Sequence, residues 1–128
     1  MWQRAQELSL LVFRISRALP GDRATAIIAQ QVLRSATSIA ANIAEGHGRF
    51  SAGAYRNHLS IARGSTAETI SWVDLLSRAE LITSEQDEQL LGLCAELMRM
   101  LSSKMKELDP SAGRSLTVRD EIAEWIVE

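Results

Sequence analysis

The chain has 128 residues, 46% hydrophobic and 23% charged, with a formal net charge of −2 at pH 7, the profile of one globular domain that buries roughly 68% of its unfolded surface. Its apolar runs are too short to span a bilayer, and the N-terminal Met-Trp-Gln-Arg-Ala-Gln-Glu lacks the apolar stretch and cleavage site of a secretory signal. A single cysteine, Cys94, excludes a disulfide framework and points to a reducing cytoplasm.

The first helix is predicted from about Trp2 to Leu19, because Leu8, Val12, Ile15 and Leu19 repeat at helical spacing until Pro20-Gly21 breaks the pattern. Asp22 is a fair N-cap for a second helix carrying Ile27, Ile28, Val32, Ala36, Ile39 and Ile43, which ends at Gly46. Ser51 can cap a third, to about Ala79, with two seams. Tyr55, Leu59, Ala62, Thr66, Thr69, Val73 and Leu76 form one; His58, Ile61, Ser65, Glu68, Trp72, Leu75 and Ala79 form another beside it. Two adjacent seams predict a face wider than one partner helix covers.

Thr83-Ser84-Glu85-Gln86 opens a fourth helix with capping-box character. Leu91, Cys94, Met98, Leu101, Met105 and Leu108 form one stripe on it, and Leu90, Leu93, Leu97 and Met100 widen it. Asp109 to Gly113 reads as a linker. Beyond it Thr117 can cap a short helix with Val118, Ile122, Trp125 and Ile126 on one side. Eleven residues are too few for an isolated helix, so this tail must dock to be ordered. The expected fold is therefore all-α: an antiparallel up-down-up-down four-helix bundle over residues 1–108, then a linker and short C-terminal helix over 109–128.

The segment Arg34 to Arg49, Arg-Ser-Ala-Thr-Ser-Ile-Ala-Ala-Asn-Ile-Ala-Glu-Gly-His-Gly-Arg, is a helix-length run of small side chains. Ala and Ser on nearly every face let neighbouring backbones approach closely, which predicts a helix tightly enclosed in the bundle. Together with Ser51 and the later Leu59-x-Ile61-Ala62-Arg63-Gly64-Ser65-x-x-Glu68, this run resembles the four-helix-bundle family of 23S ribosomal RNA intervening-sequence proteins. That family includes the accessory variability determinant protein of diversity-generating retroelements. The resemblance spans about residues 2–108. It implies an up-down-up-down bundle assembled as a ring-shaped homopentamer. For retroelement members it also implies a basic outer surface that binds nucleic acid and a partner reverse transcriptase. Those members are strongly basic, whereas this chain is mildly acidic.

The charge is nevertheless uneven. Residues 1–64 carry eight Arg against three acidic side chains, and residues 65–128 carry six basic against thirteen acidic ones. Arg49, Arg56 and Arg63 fall seven apart, so they are expected along one line of the third helix, with Arg14 and Arg17 neighbours on the first. They are candidates for phosphate contacts; the competing reading is a solvated or salt-bridged stripe. Arg34, Ser38, Asn42, Glu45, Ser65 and Glu68 are candidates for a polar network that fixes helix register, or for a polar pocket, with Arg34, Arg49 or Arg63 serving any buried carboxylate. Gly46 stops the second helix and, like Gly64, is a candidate for close packing. Gly64, costing about 1 kcal/mol in mid-helix, is expected at a close approach to the Ala-Ser face.

His47 and His58 lack metal-ligand spacing, and Cys94 sits in an apolar stripe with no His nearby in sequence. An enzyme would have to rest on Asn42, Glu45 and Glu68 sharing a cleft. The sequence reading is thus a non-enzymatic bundle without cofactor or metal that partners itself as a pentamer. The alternative is an accessory binder of RNA, DNA or a nucleic-acid enzyme through Arg14, Arg17, Arg49, Arg56 and Arg63.

Overall fold

The computed structural model describes residues 1–109 and is all-α within them; the proposed tail helix with Trp125 lies outside the described residues. Four helices follow in order: α1 (Trp2–Ala18), α2 (Arg23–His47), α3 (Ala52–Arg78) and α4 (Ser84–Glu107). Each packs antiparallel against its neighbours in sequence, and α4 returns to α1 to close the bundle. The ends are built as the sequence suggests. Asp22 accepts from the Thr25 N–H, Ser51 from Ala54, and Thr83 and Gln86 form a reciprocal capping box. Hydrogen bonds from Thr25 hold the Asp22 carboxyl below its usual value.

α2 runs one residue past Gly46, to His47, and Gly48 is its cap. α3 ends differently from a simple stop at Ala79. Glu80 takes φ 58°, its N–H donates to Ser77 O, and the Leu81 N–H reaches back to Leu76 O. This is the Schellman arrangement, here without the usual glycine.

The core is a single cluster of aliphatic and small side chains, including Leu8, Val12, Ile39, Leu59, Val73, Leu76, Leu97 and Leu101. The first seam of α3 is buried from Leu59 to Leu76 as the spacing predicts, with Tyr55 half-buried at its start. On α4 the buried line is Leu90, Cys94, Leu97 and Leu101, which takes members from both predicted stripes because this helix meets α3 on one side and α1 on the other. Burial pushes the Cys94 thiol up to about 12. α2 is enclosed only in part. Ser35, Ala36, Ile39, Ala40 and Ile43 face inward, while Thr37, Ala41 and Ala44 are exposed.

Gly46, not Gly64, makes the close helix–helix approach. A Cβ on Gly46 would lie 2.8 Å from His58 Cβ and 3.0 Å from the Tyr55 ring, so this is where α2 and α3 come closest. Gly64 faces solvent, and a Cβ there would meet nothing within 4 Å. The heptad that carries Ala62 and Ser65 inward turns Gly64 out, which the motif alone does not display.

Candidate functional site

The polar residues of the small-residue helix assemble along the α2–α3 contact. Ser38 and Ser65 hydroxyls meet at 3.0 Å, and Asn42 Nδ2 donates to Ser38 O at 2.9 Å and to Ser38 Oγ at 3.1 Å. On the next turn the Asn42 Oδ1 lies 3.2 Å from His58 Nδ1. With the Asn42 amide committed to Ser38, that contact needs the ring hydrogen on Nδ1. Deeper in, Ser35 and Thr69 hydroxyls meet at 2.8 Å. This line is a register lock: a slip of either helix separates all three cross-helix pairs together.

The carboxylates sit outside it. Glu45 is exposed and pairs with Arg49 at 2.7 Å, with His58 Nδ1 3.9 Å from its other oxygen. Glu68 is exposed and accepts from Trp72 Nε1 at 3.3 Å. His58 and Glu68 are ten residues apart on one helix, about 15 Å. Asn42, Glu45 and Glu68 therefore share no cleft. The expected buried carboxylate is replaced by hydroxyls and an amide, which need no counter-charge to be interred. His58, Ser35 and Thr69 belong to the lock and were not among the sequence candidates. Their signal was positional, since they fall on the two α3 seams and the inward face of α2.

Of the three arginines expected along one line of α3, only Arg56 and Arg63 are on that helix. Arg49 precedes α3, because the Ser51 cap starts the helix only at Ala52, and its partner Glu45 is on α2. Arg56 and Arg63 turn into the groove between α3 and α4. Arg56 Nε donates to Met105 O at 3.3 Å, with a guanidinium nitrogen 3.7 Å from Asp109. Arg63 is only 7% exposed. Its Nε donates to Ser102 Oγ at 2.9 Å, Nη2 is buried without a partner, and burial lowers its pKa. Arg14 and Arg17 are exposed on α1, neither paired with a carboxylate among the described residues, and Arg17 lies 5.5 Å from the Phe13 ring centroid. Arg34 is exposed on the rim between α1 and α2.

Apolar side chains also remain on the surface. On the α2–α3 side Ile27, Ile61 and Leu75 are 50%, 46% and 42% exposed, with Trp72 half-buried between the last two along the second α3 seam. The opposite α1–α4 side has a shallow groove that includes Met1 and Met100, with Leu11 and Leu93 half-buried. Along α1–α2, Trp2, Leu10 and Phe13 stand out from α1. No helix among the described residues is long and apolar enough to cross a membrane, and no three His, Cys, Asp or Glu among them gather as metal ligands.

Residues 1–103 match the family model described as 23S rRNA-intervening sequence protein. A crystal structure of a protein of unknown function from the S23 ribosomal protein family of Bacteroides thetaiotaomicron is similar, at 32% identity and a TM-score of 0.77, covering 82% of this chain and 97% of its own. No curated protein matches. With the four-helix architecture and both comparisons in agreement, the chain belongs to the 23S rRNA-intervening sequence protein family.

Proposed function

We propose that the protein is a non-enzymatic building block that assembles head to tail into a closed homopentameric ring. The observation that carries this reading is the pair of apolar surfaces on opposite sides of the bundle. The α2–α3 flank holds exposed Ile27, Ile61 and Leu75 with half-buried Trp72, and the α1–α4 side holds half-buried Met1, Leu11, Leu93 and Met100 beside the charged side chains of Arg99, Lys104 and Glu107. Two different patches facing away from each other join heterologously, and such joining closes into a ring when the rotation per copy permits.

Light scattering and native mass spectrometry test this directly. A mass five times that of one chain is expected at micromolar concentration, and a single-chain mass ends the proposal. Ile61→Glu with Leu75→Glu is expected to return the single-chain mass with helical circular dichroism retained, because both side chains are already half in water.

A second reading follows from Arg14 and Arg17, whose charge no carboxylate among the described residues takes up. The assembled ring would present them repeatedly to a phosphate backbone, with Arg49 added where Glu45 releases it, while Arg56 and Arg63 face α4. Binding of this kind weakens steeply with salt. A gel shift with RNA or DNA at low salt that disappears in R14E/R17E is the expected result, and no shift at low salt removes the reading.

A further inference from the structure

We propose that the furrow between α1 and α2 is a docking site for an amphipathic α-helix of another protein, one whose polar flanks are acidic. The furrow is open, about 700 Å³. Leu10 and Phe13 of α1 and Leu33 of α2 lie along it, Arg34 and Thr37 border it, and no acidic side chain does. Leu10 and Phe13 are 47% and 43% exposed, while Leu33 is half-buried. Apolar surface of this kind, rimmed by polar groups, marks an interaction site.

The spacing fits a third helix. Gln6, Leu10 and Phe13 on α1, and Gln30, Leu33 and Thr37 on α2, fall three, four and seven residues apart, so each helix turns one row towards the furrow. Ser9 Oγ donates to Ala36 O at 3.3 Å, which ties the two rows at one level. Antiparallel helices about 8–10 Å apart leave between them a channel that the ridge of a third helix fills. The row from Gln6 to Phe13 rises about 10 Å, two turns of a docked helix. An extended peptide would leave its backbone unpaired here, because the described residues are all-α and offer no sheet edge.

Charge selects the partner. The chain as a whole carries −2, yet the furrow is cationic. α1 has one acidic side chain, Glu7, which is paired with Arg4, and α2 has none before Glu45. Arg17 continues the α1 row four residues beyond Phe13, its guanidinium 5.5 Å from that ring, and Arg34 stands on the opposite wall. Carboxylates on both flanks of a docked helix meet these two arginines, and lysines there are repelled. A phosphate backbone would use the same arginines but leave the apolar floor in water, so the floor favours a protein helix. The furrow is neither of the faces assigned to ring assembly.

Photo-crosslinking of the full chain, with p-benzoylphenylalanine at the exposed Phe13 position, tests this. The probes are two synthetic helical peptides that share one row of Leu at helical spacing and carry either Glu or Lys at the flanking positions. An adduct of one peptide per chain is expected with the Glu peptide, in about fivefold or greater excess over the Lys peptide. Unspecific attraction to an acidic chain predicts the reverse order. R17E/R34E is expected to invert the preference, and L10D to abolish the adduct with helical circular dichroism retained. Equal yields from the two peptides, or none from either, overturn the proposal. So does an adduct within one chain, between two copies, or with an RNA oligonucleotide that displaces the peptide, each of which names a different occupant. Loss of the peptide adduct with the assembled mass unchanged sinks this inference and leaves ring assembly standing.

Discussion

Ser35 and Thr69 place their hydroxyls 2.8 Å apart in the buried contact between α2 and α3. Ser35 Oγ also lies 3.1 Å from Val32 O, and Thr69 Oγ1 lies 2.8 Å from Ser65 O. Two hydroxyl hydrogens thus serve three short contacts, and the pair exchanges among them without stranding an acceptor completely. Ser35→Ala removes one hydrogen and leaves Thr69 with its own helix carbonyl. The expected cost is about 1 kcal/mol in urea unfolding. The double variant S35A/T69V is expected to lose less than the sum of the single changes, a coupling that a double-mutant cycle reads directly.

Gly46→Ala and Gly64→Ala should move stability in opposite directions. At Gly46 the added methyl meets the His58 Cβ at 2.8 Å and the Tyr55 backbone oxygen at 3.2 Å, so α2 and α3 must separate. A loss of about 1–3 kcal/mol is expected, the usual cost of overpacking. At Gly64 the methyl enters open space on an exposed helix face, and a gain of about 0.5–1 kcal/mol is expected from helix propensity and the stiffer unfolded chain. Thermal denaturation of the two variants side by side checks both signs.

Glu80→Gly should stabilise the chain. Glu80 is held at φ 58° by the bonds that close α3, and a side chain with a Cβ is strained there by roughly 1 kcal/mol. Glycine removes that strain but adds unfolded-state entropy, so a net gain of about 0.5 kcal/mol is expected in the denaturant midpoint. No change would mean that the α3–α4 turn relaxes in solution.

Arg63→Met should also stabilise. The guanidinium is buried, its Nη2 has no partner, and no carboxylate pairs with it among the described residues. Replacing it with an apolar side chain of similar length removes a desolvated charge, and a gain of about 1–2 kcal/mol is expected. Arg56→Met is the contrasting variant. It loses the bond to Met105 O and the approach to Asp109, so it should be neutral or destabilising. A destabilised R63M would show that Ser102 depends on the guanidinium more than the guanidinium suffers from burial.

Cys94 sets an alkaline limit. Its folded pKa of about 12 stands above the unfolded 9.0, so the native state keeps a proton that the unfolded chain gives up. The stabilisation is complete below pH 9 and is lost as the pH rises from 9 towards 12, at about 1.4 kcal/mol per unit. Denaturant midpoints from pH 8 to 11 should fall more steeply for the native chain than for Cys94→Ala, which starts lower because of its cavity but is flatter. Parallel curves would disprove the assignment.

The helices were legible because their determinants are local. The spacing of Leu8, Val12 and Ile15, the caps at Asp22, Ser51 and Thr83, and the break at Pro20-Gly21 each act within a turn or two. The site was less legible. Glu45 and Glu68 look like members of a buried network because they belong to the motif, yet each sits a little around its helix from the inward face and is solvated. His58 joins the lock through α2, sixteen residues away, which no local pattern reports.

What the amino-acid order settled by itself was four antiparallel helices, their approximate ends, the first α3 seam and an excess of apolar flank, all consequences of helical periodicity and short-range capping. What only the tertiary structure decided was rotation: which way each helix turns about its axis. Rotation put Gly46 rather than Gly64 at the close contact, turned Arg56 and Arg63 towards α4, and left Arg14 and Arg17 in water. A helix's rotation is fixed by the summed burial on all its neighbours, so it emerges only when the four are packed together.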